Sequence, residues 1–117
     1  MKILIAEDDA ETRRGLLRLL EDNDHSVISA DNKEKALGFL AHWQSVDLVI
    51  TDLDMREKDD GIELLKRSVR FYPNTKFWLV SNGLTEEIIL QAKGLGAERA
   101  ISKSVLLQVL KETGIIT

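Results

Sequence analysis

Hydrophobic residues along this chain cluster in short blocks, and four of these blocks end directly before polar residues. The blocks are short and rich in β-branched residues, which is typical of buried parallel strands. They lie at 3–6, 48–51, 77–80 and 100–102. The polar residues that follow them are, in order, Glu7-Asp8-Asp9, Asp52, Ser81 and Lys103. Because ligands bind just outside the carboxyl ends of parallel strands, the pattern predicts one pocket that collects acids, a hydroxyl and an ammonium.

Between these blocks, the spacing of apolar residues changes to that of amphipathic helices. The first helix, at 11–20, follows Asp9, a residue type that caps helices, and its inward face carries Leu16, Leu17 and Leu20. A further short strand is predicted at 25–30. Asp31 and Asn32 then cap a second helix. Its inward stripe consists of Ala36, Leu37, Leu40 and Ala41.

Three more helices complete the pattern. The third, at 61–71, aligns Ile62, Leu65 and Val69 and is stopped by Pro73. The fourth opens at Thr85-Glu86-Glu87 and is closed by Gly94 and Gly96, and the fifth runs over 104–113 and ends at Gly114. A strand followed by a helix, five times over, predicts an α/β fold with a doubly wound five-stranded parallel sheet, right-handed crossovers and helices on both faces.

The composition of the chain limits the classes of protein to which it can belong. The 117 residues, 44% hydrophobic and 31% charged, indicate one globular domain over 1–117. A net charge of -4 argues against nucleic acid as a partner and leaves a protein or an anion. The absence of cysteine excludes disulfides and thiolate metal sites. Apolar stretches too short to span a bilayer, and a start without signal-peptide features, predict a cytoplasmic protein without a membrane partner.

The strand-end acids predict a metal site. Parallel strands end together, so Asp8, Asp9 and Asp52 are expected side by side, and two carboxylates about 4 Å apart repel by roughly 4 kcal/mol at an effective dielectric of about 20. A divalent cation relieves this repulsion, and all-oxygen ligands suit Mg²⁺ better than zinc. Asp8 or Asp9 alone is better explained as a helix cap, but their combination with Asp52 favours a site.

Asp52 is the expected nucleophile of this site. A carboxylate can be phosphorylated to an acyl phosphate when a metal and a cation neutralise the incoming oxygens, and Lys103 supplies the cation. Ser81 and Lys103 taken singly are ordinary turn and surface residues. A functional role is favoured because each residue ends a strand on the same side of the sheet as Asp52.

With these residues in the same order, the whole chain resembles a response-regulator receiver domain of bacterial two-component signalling, a flavodoxin-like fold. The resemblance implies that Asp9, Asp52 and the main-chain carbonyl of Asp54 hold Mg²⁺, while Asp8 acts through a water. It also implies that Asp52 takes a phosphoryl group from a histidine kinase or phosphotransfer protein, and that Ser81 and Lys103 bind its oxygens. The domain is then no ordinary enzyme, although it takes part in its own phosphotransfer and dephosphorylation. We expect a stand-alone receiver, since the predicted fold fills the chain.

Five features depart from the family pattern and bear on the output. Arg56 replaces a usual proline, the loop through Lys58-Asp59-Asp60 is one residue longer, and Asn82 replaces a small residue. Ser104 replaces the proline after the lysine, so a trans bond is expected there. Ala100 stands where receivers commonly carry a switching Tyr or Phe, so an inward-turning aromatic cannot carry the signal.

Two alternatives stay open on the sequence. Asp52-Leu53-Asp54 after a strand also resembles a haloacid-dehalogenase-type phosphatase, but the paired metal acids come late in that family and come first here. The chain also lacks room for a cap domain. The second alternative is a degenerate receiver that binds a partner without phosphorylation.

Overall fold

Strands and helices alternate along the computed structural model, which describes all 117 residues. The strands are β1 (Lys2–Ala6), β2 (Ser26–Ala30), β3 (Leu48–Asp52), β4 (Lys76–Ser81) and β5 (Arg99–Ser102). The helices are α1 (Ala10–Asp22), α2 (Lys33–His42), α3 (Asp60–Ser68), α4 (Glu86–Gly94) and α5 (Leu106–Glu112). Short 3₁₀ turns at Val69–Phe71 and Lys103–Val105 follow α3 and precede α5. No helix is both long enough and apolar enough to cross a bilayer.

The five strands form one parallel sheet in the order β2-β1-β3-β4-β5, which confirms the predicted fold class. Chain order reverses between β1 and β3, and this is the switch point at which such sheets bind ligands. The register aligns the carboxyl ends, with Ala6 opposite Thr51 and Ser81 opposite Ser102. The residues that follow these strands therefore meet at one edge of the sheet.

Alternating strand residues supply two separate hydrophobic cores. Leu4, Val49 and Leu79 pack on one face of the sheet with α2, α3 and α4. Ile5 and Ile50 pack on the other face with α1 and α5. Helices therefore cover both faces, as the period-two alternation within buried strands requires.

Side-chain caps begin three of the helices where the sequence predicted them. Asp9, Asn32 and Thr85 accept the main-chain N–H of residues Thr12, Lys35 and Ile88, at 2.9, 2.9 and 3.2 Å. Each bond satisfies one of the orphan N–H groups of a first helical turn.

The helix boundaries and one inward stripe differ from the prediction. The predicted helix at 61–71 is α-helical only over Asp60–Ser68 and tightens into a 3₁₀ turn, which is common at helix ends. The fifth helix likewise starts at Leu106, after a 3₁₀ turn. Ala41 is exposed, because residue 41 is turned about 100° beyond buried Leu40 around the axis of α2.

Gly61 at the start of α3 tests how tightly β3 and α3 pack. A Cβ at this position would lie 2.3 Å from the Asp52 carbonyl oxygen and 2.9 Å from the Leu53 Cα, both main-chain atoms. We expect Gly61→Ala to destabilise the domain by about 2 kcal/mol or more, since the backbone must move. Gly38→Ala in α2, where a Cβ meets nothing within 4 Å, should instead stabilise it by roughly 0.5–1 kcal/mol. Urea denaturation measures both changes. Equal stability of the two variants would contradict the close packing of α3 against β3 at Gly61.

Candidate functional site

Asp52 lies at the end of the central strand β3 and is only 7% exposed. Strands on both sides of β3 exclude water from it, while its carboxylate reaches the carboxyl edge of the sheet. Its Oδ2 accepts a hydrogen bond of 3.0 Å from Nζ of Lys103. A nearly buried carboxylate is thus paired with a cation at the switch point of the sheet.

Lys103 is the cation of the site and directly follows β5. Its Nζ donates to Oε1 of Glu7 at 2.7 Å and to Oδ2 of Asp52 at 3.0 Å, so one ammonium bridges two strand ends. Burial is the largest single influence on its pKa and lowers it, but the hydrogen bonds to Glu7 and Asp52 together raise the pKa above its usual range. Lys103 therefore carries its charge at neutral pH.

Glu7, Asp8 and Asp52 form the acidic cluster of the site. One carboxylate oxygen from each lies within 4.8 Å of the others. Glu7 is 5% exposed and Asp8 is exposed, so the cluster opens to solvent on the Asp8 side. Burial, followed by the neighbouring Glu7 carboxyl, raises the pKa of Asp8. The donor set fits a hard divalent cation, because it consists of carboxylate oxygens alone.

Asp9, one of the expected metal ligands, caps α1 in the structure. Its carboxylate is used at the start of α1, where Oδ2 accepts the Thr12 N–H at 2.9 Å and the Thr12 hydroxyl at 2.6 Å. These hydrogen bonds lower the pKa of Asp9. The pair at the cluster is therefore Glu7 and Asp8, one residue earlier than Asp8 and Asp9. Glu7 was not among the metal ligands predicted from the sequence. Thr12, three residues after Asp9, is the signal that could have assigned Asp9 to the helix cap.

Arg13 supports the acidic pair from α1. Its guanidinium Nη1 donates to the main-chain carbonyl of Glu7 at 2.9 Å and lies 3.4 Å from that of Asp8. The β1–α1 connection is thus fixed by the cap at one end and by Arg13 at the other.

Ser81 ends β4 at the same sheet edge and is 4% exposed. Its Oγ accepts the main-chain N–H of Gly83 at 3.0 Å, and this is the hydrogen bond that its hydroxyl makes. The structure therefore brings Ser81 to the predicted edge of the sheet but shows it bonded to its own loop, not to Asp52 or Lys103.

Asp54 lies in the β3–α3 loop and is exposed. Its Oδ1 accepts the Asp59 N–H at 2.7 Å, so its side chain is committed to that loop. Asp59 itself adopts a left-handed backbone with φ of 63°, which a non-glycine residue seldom takes. The loop is closed on itself at this point.

Ser104 and Ala100 are two of the positions that depart from the family pattern. The chain contains no cis peptide bond, so the bond before Ser104 is trans, as predicted. Ala100 is 9% exposed and packs in the core beneath α4, so no aromatic side chain stands three residues before Lys103.

Comparison with known proteins identifies the family. The family model of the response regulator receiver domain matches residues 3–113, and the chain belongs to this family. Receiver domains act in two-component signalling with histidine kinases or phosphotransfer proteins and with output domains. They are signalling domains rather than classical enzymes, and they bind a divalent metal at an acidic pocket. The comparisons favour neither the phosphatase nor the degenerate receiver.

Individual relatives agree with this assignment. The transcriptional regulatory protein GlnL of Bacillus subtilis is 29% identical over 121 residues, which cover 96% of this chain and 38% of GlnL. The chain thus spans less than half of that relative. A two-component response regulator from Clostridium difficile superposes with a TM-score of 0.85 at 26% identity, covering 98% of this chain and 94% of that one.

A response regulator protein from Burkholderia pseudomallei, crystallised with a phosphorylated aspartic acid, a calcium ion and citrate, also superposes. Its TM-score is 0.84 at 21% identity, covering 94% of this chain and 64% of that one. At this identity the likeness shows the fold alone.

The revised acidic pair predicts which substitution removes metal binding. Mg²⁺ should stabilise the wild-type domain by about 2.7 kcal/mol at a hundredfold excess over its dissociation constant. Asp8→Ala should abolish this shift, because it removes an oxygen of the cluster. Asp9→Ala should keep the shift while lowering the melting temperature without metal, because α1 loses its cap. Calorimetric melting with and without Mg²⁺ measures this stabilisation in each protein. If only Asp9→Ala lost the stabilisation by Mg²⁺, Asp9 and not Asp8 would be the metal ligand.

The raised pKa of Asp8 predicts how the stability of the metal-free domain changes with pH. Below the unfolded pKa, Asp8 is protonated in both states and does not oppose folding. As the pH rises through its raised native pKa, the carboxylate becomes charged in a partly desolvated position beside Glu7, and stability is lost. Asp8→Asn should therefore match wild type at acid pH and be the more stable at pH 7, which denaturation with chelator present can measure. If Asp8→Asn increased the stability equally at both pH values, the increase would not come from the ionisation of Asp8.

Proposed function

We propose that this receiver domain accepts a phosphoryl group on Asp52 from a histidine kinase or phosphotransfer protein, with Mg²⁺ bound at the acidic cluster. One observation carries the proposal: the Lys103 ammonium is hydrogen-bonded to a nearly buried Asp52 carboxylate that also belongs to the acidic cluster. A nucleophile, a fixed cation and oxygen ligands for a metal are the groups that phosphoryl transfer needs.

In the transfer step, an Asp52 carboxylate oxygen attacks the phosphorus atom of the donor. Oδ2 accepts from Lys103, so we assign the attack to Oδ1. The new P–O bond forms as the P–N bond of the donor phosphohistidine breaks, and the histidine nitrogen keeps the electron pair. The product is an acyl phosphate on Asp52 and a free histidine on the donor.

Lys103 and Ser81 are proposed to bind the transferred group. The Lys103 ammonium is held between Glu7 and Asp52, so it reaches phosphoryl oxygens on Asp52 by releasing one carboxylate. The Ser81 hydroxyl uses a lone pair for Gly83 N–H and keeps its own proton free to donate. A charge-assisted hydrogen bond of this kind contributes roughly 1.5–3 kcal/mol.

The proposed metal ligands are the carboxylates of Asp8 and Asp52 and the main-chain carbonyl of Asp54, with Glu7 acting beside them. The Asp54 side chain is bonded to Asp59, which leaves its backbone as the group available to the site. Bound Mg²⁺ supplies positive charge that offsets the phosphoryl oxygens in the transition state. Arg13 holds the Glu7 and Asp8 main chain in place.

The phosphorylated state is proposed to be read out through the loop after β4. Ala100 offers no aromatic switch, whereas Ser81 is directly bonded to Gly83. A Ser81 side chain that turns toward a phosphoryl group pulls on the segment 82–85, which leads into the Thr85 cap of α4. The α4 surface is then the part that an output protein senses.

The nucleophile can be tested by labelling. A small acyl phosphate with Mg²⁺ should give a single phosphoryl adduct in the intact mass of the wild-type domain. Asp52→Asn should give none, because an amide cannot form the acyl phosphate, whereas Asp54→Asn should still be labelled through Asp52. If Asp52→Asn were labelled and Asp54→Asn were not, the nucleophile would be Asp54. Turnover of phosphate esters would indicate a phosphatase.

A further inference from the structure

A buried ion pair links α2 to the loop that follows Asp52. Nζ of Lys33, the first residue of α2, lies 3.4 Å from Oδ1 of Asp60, the first residue of α3. The two side chains are 19% and 6% exposed. An ion pair this shielded is screened less by water than a surface pair, and removing one partner leaves the other charge buried and unpaired.

The same carboxylate also shapes the loop itself. The second oxygen of Asp60, Oδ2, accepts the Glu57 N–H at 2.9 Å, so Asp60 bonds the loop with one oxygen and Lys33 with the other. At the other side of the loop, Asp54 accepts the Asp59 N–H. These two carboxylates fold residues 54–60 into a compact turn, and Lys33 ties that turn to a different helix.

This loop has particular need of an external tie. It contains Arg56 and no proline, and it includes the left-handed Asp59. A proline restricts the backbone without any partner, whereas an arginine does not. The conformation must therefore be held by contacts, and a strained backbone persists only where its surroundings determine it.

We infer that Lys33 is a positioning residue for the metal site: its ion pair with Asp60 holds the β3–α3 loop in the conformation from which the Asp54 main-chain carbonyl binds the metal. The inference rests on the proposed function, since the Asp54 carbonyl is a ligand only there. Lys33 acts through Asp60 and the loop and touches neither metal nor phosphoryl group. Its loss weakens metal binding and leaves the nucleophile, Asp52, intact.

The test compares three single variants in the metal-free and Mg²⁺-loaded domain. Lys33→Met removes the charge and keeps the length of the side chain, while Lys33→Arg restores the charge. Lys35→Met is the matched control, because Lys35 also pairs with an aspartate, Asp31 at 3.2 Å, but its side chain is 59% exposed. Calorimetric titration with Mg²⁺ gives the affinity, and labelling by a small acyl phosphate at saturating Mg²⁺ gives the rate.

Lys33→Met should weaken Mg²⁺ binding by about tenfold, the size of effect expected when support for a metal ligand is lost. Its labelling rate at saturating Mg²⁺ should stay within about twofold of wild type, since no reacting group is removed. Lys33→Arg should regain most of the affinity, and Lys35→Met should bind as wild type does. Hydrogen exchange at the Glu57 amide, measured without metal, should rise in Lys33→Met alone.

A second variant covers the case in which Lys33→Met does not fold. The double variant Lys33→Met/Asp60→Asn leaves no unpaired buried charge, and it should show the same loss of affinity. Wild-type affinity in both the single and the double variant, with unchanged exchange at Glu57, would overturn the inference and leave the proposed function standing. A wild-type domain that neither binds Mg²⁺ nor becomes labelled would overturn both.

Discussion

The repulsion among carboxylates at one edge of the sheet is the constraint on which the site depends. Glu7, Asp8 and Asp52 bring oxygens within 4.8 Å of one another, and two such charges roughly 4 Å apart repel by about 4 kcal/mol at an effective dielectric of about 20. The Lys103 ammonium offsets part of this cost. Burial and then the neighbouring Glu7 carboxyl raise the pKa of Asp8. The excess of negative charge at the cluster favours the binding of a cation.

Only the tertiary fold can assemble this charge balance, because Lys103 is 51 residues from Asp52 and 96 from Glu7 along the chain. The sheet register makes the strands end together, and this much could be predicted from short apolar blocks. The predicted roles of Asp52 and Lys103 at one site required no side-chain detail. Strand-end position was sufficient, since parallel strands place such residues at a single edge.

The choice among three consecutive acids could not be made from strand ends alone. A shift of one residue exchanges a cluster carboxylate for a helix cap, and sequence patterns locate boundaries to within only a few residues. In three dimensions, the Asp9 carboxylate is hydrogen-bonded to Thr12, which supports Glu7 and Asp8 as the acids of the cluster. The ion pair of Lys33 and Asp60 also could not be predicted from the sequence, because no local pattern relates residues on different helices. Ala41 was misplaced for a simpler reason, since α2 buries a narrower stripe than assumed.

The acids after β1 serve two purposes, since Glu7 and Asp8 belong to the acidic cluster whereas Asp9 caps α1. A crystal structure of the domain with Mg²⁺ and a beryllofluoride phosphoryl mimic tests this division. We expect a metal bound by Asp8 and Asp52, the mimic on Asp52 in contact with Lys103, and Asp9 still bonded to Thr12. A metal bound by the Asp9 carboxylate, with Thr12 released, would contradict it.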